Sequence, residues 1–249
     1  MWRRVLEDSA LALRLRLLTL AGKLLVPSYR FKWPQLDWWR NEGFTRYLDT
    51  FGELGGLNAD RKWMVYQLAR LVGHVPGDTA ECGVFRGATS YLVCCANEQS
   101  SAASKTHHVF DSFQGLSEPG MVDGKHWAAG DLRCDLELVR KALAGFDKVE
   151  FHPGWIPERF CDVADRKFSF VHIDVDLAYP THESLAFFYP RMEEDGIIVC
   201  DDYAFSTCIG TTRAVDNFLA DKPEKMLALP DGGGFFIKNV PTAESALLQ

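Results

Sequence analysis

No apolar run in this 249-residue chain approaches the roughly 20 residues that a helix needs to cross a bilayer. The Leu-rich opening, MWRRVLEDSALALRLRLLTLAGKLLVP, is cut by Arg14 and Arg16, which also spoil a secretory apolar stretch. With no clear A-x-A site, it is not expected to be a removable leader. C-x-x-C pairs and zinc-type spacings are missing too. The seven cysteines (Cys82, Cys94, Cys95, Cys134, Cys161, Cys200 and Cys208) are odd in number, so they are expected as buried or free thiols in a reducing compartment, which points to the cytoplasm. Nor is there a Lys/Arg stripe in the central or C-terminal parts. A formal charge of −7 offers a phosphate backbone little attraction, so no nucleic-acid partner is expected.

What is present is the balance of a soluble globular protein: 47% apolar and 24% charged residues, enough chain for one large domain with additions. Residues 1–57 read as an N-terminal helical and irregular extension, and 58–249 as the main domain. The opening Leu/Arg segment is expected to form an amphipathic helix. Its apolar face suits packing on the domain or on a second subunit, giving a homo-oligomer; peripheral contact with a membrane surface is the alternative. Residues 31–57, rich in Trp, Gly and Phe, read as irregular with a short helix.

From Asn58 the pattern becomes regular. NADRKWMVYQLARLVGHVPGD has Val65, Leu68, Leu71 and Val72 at helical spacing, with Asn58 or Asp60 to open the helix and Gly73 to close it. Strand-like runs follow at TAECGVF, HHVFDSF, VEFHPG, FSFVHID and GIIVCDD, separated by helical stretches, which indicates a parallel sheet covered on both faces. KMLALP and GGFFIKN are joined through Asp231-Gly-Gly-Gly with no helix between. That predicts an antiparallel hairpin at the sheet's end and not a phosphate loop.

In such a sheet ligands sit at the carboxyl ends of the strands. The first ends Glu81-Cys-Gly83-Val-Phe85-Arg-Gly87. Phe85 holds the place where a dinucleotide fingerprint needs a glycine, so a pyrophosphate would be crowded. An acid before G-x-x-x-G suits a cofactor with an amino-acid end and no phosphate, although a tight strand-to-helix turn explains the pattern equally. Asp111, ending the second strand, is placed to accept ribose hydroxyls, and S-adenosylmethionine fits both observations.

The fourth strand ends at Asp174 with Asp176 just beyond, and the fifth at Asp201 and Asp202. Adjacent strands lie about 5 Å apart, so these carboxylates converge and raise one another's pKa unless a cation intervenes. An oxygen-only set of Asp174, Asp201 and Asp202 suits Mg²⁺. The plainer alternative is that Asp202 caps a turn and Asp174 is solvated. On the metal reading, Asp201→Asn removes Mg²⁺-dependent activity and spares cofactor binding.

GDTAECGVFRGATS, VFDSFQGLSEP, VHIDVDL and GIIVCDDY together resemble the macrocin O-methyltransferase family, over roughly residues 58–240. The resemblance implies an α/β class I methyltransferase fold: a doubly wound, Rossmann-like sheet, mostly parallel, with an antiparallel C-terminal edge. It implies S-adenosylmethionine around Glu81, Gly83, Gly87 and Asp111, Mg²⁺ on Asp174, Asp201 and Asp202, and a hydroxyl acceptor on a sugar or glycosylated small molecule. One departure is Ala178 directly after D-V-D-L, with Tyr179 one place later.

Methyl transfer from a sulfonium needs alignment and a deprotonated oxygen. A catechol-type lysine three residues past the first metal acid is absent, since Leu177 stands there. Asp174 is therefore the first candidate base and His182 the second. His172 reads as a core histidine, and His152 is ambiguous. Residues 117–131 read either as a lid carrying His126 and Trp127 toward a sugar ring or as a plain connection. Gly154 and Trp155 either flank an adenine or, in the case of Trp155, fill the core. Rival readings are an NAD-linked enzyme, opposed by Phe85 and the acids, and a catalytically silent scaffold, opposed by the intact motifs.

Overall fold

The computed structural model describes residues 13–14, 16–18, 20–22, 24–25, 36–53, 58–102 and 104–243. The chain divides into two compact units, 1–46 and 47–249. In the first, every described position between 13 and 25 is helical (α1), and Leu13, Leu17, Leu20 and Leu24 are exposed. The remainder of the expected amphipathic segment and the stretches 26–35 and 54–57 lie outside the described residues. No described helix is long and apolar enough to cross a membrane. A short 3-10 turn (Asp37–Arg40) precedes α2 (Glu42–Thr50), the short helix expected in this region.

The second unit begins within α2, where Tyr47 and Phe51 place their rings 5.9 and 5.4 Å from Tyr91. α3 (Ala59–Leu71) follows. Asn58 occupies its N-cap, yet its side chain does not cap the helix. Asn58 Oδ1 instead accepts from the Arg61 guanidinium at 3.1 Å.

The sheet has the order β3-β2-β1-β4-β5-β7-β6. β1 (Asp78–Cys82), β2 (His107–Asp111), β3 (Val149–Pro153), β4 (Phe168–Ile173) and β5 (Met192–Cys200) are parallel. β7 (Gly234–Ile237) runs antiparallel beside β5, and β6 (Leu227–Ala228) pairs with β7, so the hairpin expectation holds. β5 starts four residues before the Gly196 predicted from the apolar run. Its polar start, Glu193 to Asp195, is carried by a register shift opposite Phe168–Phe170, because pairing tolerates a bulge that hydrophobicity does not announce.

The apolar character of the strands follows from cover on both sides. On one face Val65, Leu68 and Val72 of α3, with Val93 and Ala96 of α4 (Ala88–Glu98), pack on Phe170, Ile197 and Val199. On the other, Leu185 and Phe188 of α6 (Ala178–Phe188), with Val215 and Leu219 of α7 (Ile209–Leu219), pack on Val171, Ile173, Ile198 and Cys200. Each fully buried Phe, Leu or Ile contributes about 1.5–3 kcal/mol. A smaller cluster joins Val139 and Leu143 of α5 (Leu136–Leu143) to Val84 and Val109.

Strand order reverses between β1 and β4, opening a crevice at their carboxyl ends. Gly83 lies there with φ 78°, and a Cβ on it would collide with the Asp174 carbonyl oxygen. Only glycine lets the two chains approach this closely.

Candidate active site

A cavity of about 400 Å³ opens at this crevice. One wall is the turn after β1, where Gly83 (φ 78°), Phe85 (φ 47°) and Gly87 (φ 80°) are all left-handed. Phe85 in that conformation is strained by about 1–2 kcal/mol. The carboxylate of Asp111 holds the turn, its Oδ2 accepting from Val84 N at 2.8 Å and Phe85 N at 3.3 Å while Oδ1 accepts from Phe113 N at 2.6 Å. Asp111 builds the turn and also lines the cavity, with about one of its four acceptor positions unused.

Glu81 also borders the cavity but is only 1% exposed. Its Oε2 accepts from Ser90 Oγ, and its Oε1 lies 3.1 Å from His172 Nδ1. His172 Nε2 is in turn 3.4 Å from Asp201 Oδ1. Burial opposes a charge on this ring, yet Asp201 and Glu81 on either side push its pKa up to about 9. The histidine expected as a core residue is thus an imidazolium joining the acid of the first strand to the acid of the fifth.

Asp174, Asp201 and Asp202 each offer an oxygen within 4.8 Å of the others, as the sequence spacing implied. Their environments differ. Asp201 Oδ2 pairs with Arg61 Nη1 at 2.6 Å, and the same nitrogen donates to Asp201 O at 3.2 Å, with the Arg61 guanidinium over the Phe205 ring at 4.9 Å. Against burial, His172 and Arg61 hold the Asp201 carboxyl far below the usual range. Asp202 makes no such ion pair among the described residues. Its Oδ2 accepts from Asp176 N at 2.7 Å, while burial and the carboxylates of Asp174, Asp176 and Asp201 push its pKa well up. Burial and Asp201 push Asp174 to about 7. Burial, with Asp201 adding, pushes Asp176 to about 6. The plainer alternative had Asp202 capping the turn that follows it; its side chain instead accepts from Asp176 N in the chain after β4, beside the converging carboxylates.

Arg61 and Asp176 are functional candidates that sequence reasoning passed over or placed only at the margin. Lys62, beside Arg61, lines the cavity with its Nζ 2.5 Å from Thr89 Oγ1. Cys208 is within 3.8 Å of both Asp176 Oδ1 and Asp202 Oδ1. The structure does not bring His182 to this group. That side chain is exposed on α6, its ring edge-on to Phe218 at 6.1 Å, and it is not part of the cavity wall. The first turn of α6 directs position 182 outward, which corrects its assignment as a second base.

Ser117, His126 and Trp127 bring the 117–131 segment to the cavity. Trp127 Nε1 donates to Cys208 Sγ at 3.5 Å, with His126 edge-on to its ring at 4.7 Å. Asp123, midway along the segment, is 4% exposed. Its Oδ1 accepts from Ala178 N at the start of α6, and its Oδ2 from Gly120 N, both at 2.7 Å. Trp155 lines the cavity, while Gly154 is not part of its lining and donates its N–H to Asp111 O at 3.0 Å. Trp127→Ala is expected to raise the acceptor KM about tenfold, the loss of one aromatic contact, with cofactor affinity unchanged by calorimetry.

This sheet, its switch point and its glycine turn define a class I methyltransferase fold. A family model described as macrocin-O-methyltransferase (TylF) matches residues 67–228. The chain belongs to that family. It is 31% identical over 149 residues to the 8-demethyl-8-(2,3-dimethoxy-alpha-L-rhamnosyl)-tetracenomycin-C 4'-O-methyltransferase of Streptomyces olivaceus, covering 55% of this chain and 57% of the relative. It is 28% identical over 180 residues to the demethyldecarbamoylnovobiocin O-methyltransferase of Streptomyces niveus, covering 66% of each. The chain therefore spans 57 and 66% of the length of these curated relatives. Among solved structures, the O-methyltransferase NovP matches with TM-score 0.61 and 26% identity, over 72% of this chain and 80% of that one. A calicheamicin methyltransferase, at 16% identity and TM-score 0.65 over 86 and 97% of the two chains, shares the fold.

Proposed function

We propose that this protein is an S-adenosylmethionine-dependent O-methyltransferase, Mg²⁺-dependent, that acts on a hydroxyl of a sugar or glycosylated small molecule. The observation that carries this reading is the convergence of Asp174, Asp201 and Asp202 within 4.8 Å on the same cavity that the Gly83–Gly87 turn and Asp111 wall on the other side. The named relatives support the acceptor class, since one is a rhamnosyl-tetracenomycin 4'-O-methyltransferase.

The donor set fits a hard dication. It is all oxygen, two of its carboxylates are held above the usual range by burial and by their acidic neighbours, and it adjoins open cavity on one side. Asp174 and Asp202 would supply the uncompensated charge, and Asp201, steadied by Arg61 and His172, a fixed third oxygen. When bound, such an ion orients the acceptor oxygen and lowers its pKa, and S-adenosylmethionine supplies the methyl group as a sulfonium.

The chain's own residues do the rest. Glu81, fixed by Ser90 and His172, and Asp111, fixed by the turn amides, set the walls against which a cofactor aligns. Asp174, the first candidate base, and Asp176, which also lines the cavity and is not needed among the three ligands, are the acceptors at hand for the hydroxyl proton. Trp127, His126 and Trp155 are the large aromatic side chains of the cavity lining, available to an acceptor ring.

Calorimetric titration with S-adenosylmethionine, S-adenosylhomocysteine and NAD, each with Mg²⁺ and with chelator, tests the proposal. Binding of the two sulfur compounds and not NAD is expected; NAD binding alone would overturn it. Ligation requires Asp174 and Asp202 ionised, so Mg²⁺ affinity is expected to rise at least tenfold between pH 5.5 and 7.5, with proton release. A flat profile would remove these carboxylates from the site.

A further inference from the structure

On the face of the sheet opposite α3, at the β3 edge and away from the cavity, a second polar cluster is built by strand register. His108 of β2 pairs in register with Glu150 of β3, and His152 lies two residues on, so all three side chains share one face. His108 is fully buried and His152 6% exposed, its ring stacked on Phe110 at 4.5 Å. Glu150 is half exposed and provides a path from solvent.

The hydrogen count in this cluster does not close. Asp78 Oδ2 lies 3.2 Å from His108 Nε2, and Asp162 Oδ2 lies 3.1 Å from His152 Nδ1. A carboxylate only accepts, so the facing ring nitrogens carry the hydrogens. Each neutral imidazole has one, and both are directed outward. With both rings neutral, His108 Nδ1 and His152 Nε2 then face each other at 3.1 Å as two acceptors. Glu150 Oε2 adds a third acceptor 3.5 Å from His108 Nδ1. The three ligand atoms lie within 4.8 Å of one another.

We infer that His108 Nδ1, His152 Nε2 and Glu150 Oε2 form a second metal site, for Zn²⁺ or a similar borderline transition-metal ion, that clamps β2 to β3. The nitrogen separation is within a few tenths of an ångström of the edge of a zinc tetrahedron with Zn–N bonds of about 2.0–2.1 Å. Asp78 and Asp162 stand where the outer partners of metal-bound histidines belong, each taking the hydrogen of the nitrogen that does not ligate. Both are themselves fixed, Asp162 by Arg159 at 2.7 Å and Asp78 by the Thr106 amide at 2.9 Å. Mixed nitrogen and oxygen donors separate this site from the all-oxygen set of the cavity.

The test uses the full chain, stripped of metal and kept in millimolar Mg²⁺ to hold the carboxylate set. Titration with Zn²⁺ by calorimetry, and with Co²⁺ followed by its visible spectrum, is expected to show one equivalent bound in a tetrahedral shell. X-ray absorption of the zinc form should then report nitrogen and oxygen neighbours without sulfur. Glu150→Gln, at a half-exposed position that leaves the fold intact, should weaken binding at least tenfold, and His152→Asn should abolish it. Failure to bind either ion, or binding that both variants leave unchanged, would overturn the site and leave the two rings joined by a shared extra proton.

Discussion

Asp202→Asn is expected to lower turnover roughly a thousandfold, the loss of several kcal/mol of charge stabilisation at the acceptor oxygen, while making the metal-free protein more stable. The two effects share one cause. Asp202 is buried among Asp174, Asp176 and Asp201, makes no ion pair of its own among the described residues, and its folded pKa is raised above the unfolded value. A carboxyl raised in this way costs nothing in acid, where both states are protonated. The cost appears as pH climbs past the unfolded pKa and is complete above the folded one. Asparagine can still accept from Asp176 N and removes the charge. In chelator the variant should be more stable than the parent at pH 8 and no more stable near pH 2, below the unfolded carboxyl pKa. Urea denaturation at the two pH values, beside a methyl-transfer assay, reads both. Parent-like turnover in saturating Mg²⁺ would take Asp202 out of the metal-holding set.

The neighbouring substitution should do the reverse to stability. Asp201→Asn strands the Arg61 guanidinium and the His172 imidazolium, both inside the protein, and breaking a buried pair by removing one partner costs about 3 kcal/mol or more. Asp201 has a depressed folded pKa, so its contribution is present above the unfolded carboxyl pKa and is lost only as pH falls toward the folded one. The deficit should therefore be full at pH 7. The expectation that Asp201→Asn spares cofactor binding is revised accordingly, because the loosened His172 also carries Glu81. A double-mutant cycle with Arg61→Ala measures the pairing; additive losses would show that the ion pair is not coupled.

These contrasting outcomes show what the sequence could and could not convey. Strands β1 to β5 were legible as short, mainly apolar runs alternating with helical stretches, although β1 to β3 carry polar residues and the polar start of β5 was missed; the acids that end β4 and β5 stood out against that background. Their convergence followed from placing the ends of β4 and β5 side by side. The partner of Asp201 was not legible. Helical spacing on α3 tells which face Arg61 occupies but not that this face meets a strand end 140 residues later. The silent N-cap at Asn58 has the same origin, since its oxygen is recruited by that arginine. His182 failed for a local reason: proximity along the chain to Asp174 says nothing of direction, and one turn of helix points it to solvent. His172 is the satisfied core histidine that its mid-strand place implied, fully buried with both ring nitrogens partnered; that the partners are two acids from other strands was not legible.

The imidazolium of His172 has a thermodynamic consequence. It is shared between Glu81 on the side where a cofactor would lie and Asp201 on the side where a cation would lie. A cation that draws on Asp201 weakens its hold on the ring, strengthens the ring's hold on Glu81, and so alters how the cofactor wall presents itself. Around the closed cycle of the two binding events the free energies must balance, so whatever factor the ion imposes on the cofactor's affinity, the cofactor imposes on the ion's. On the proposed occupancy, a single buried side chain would carry the coupling between the two occupants.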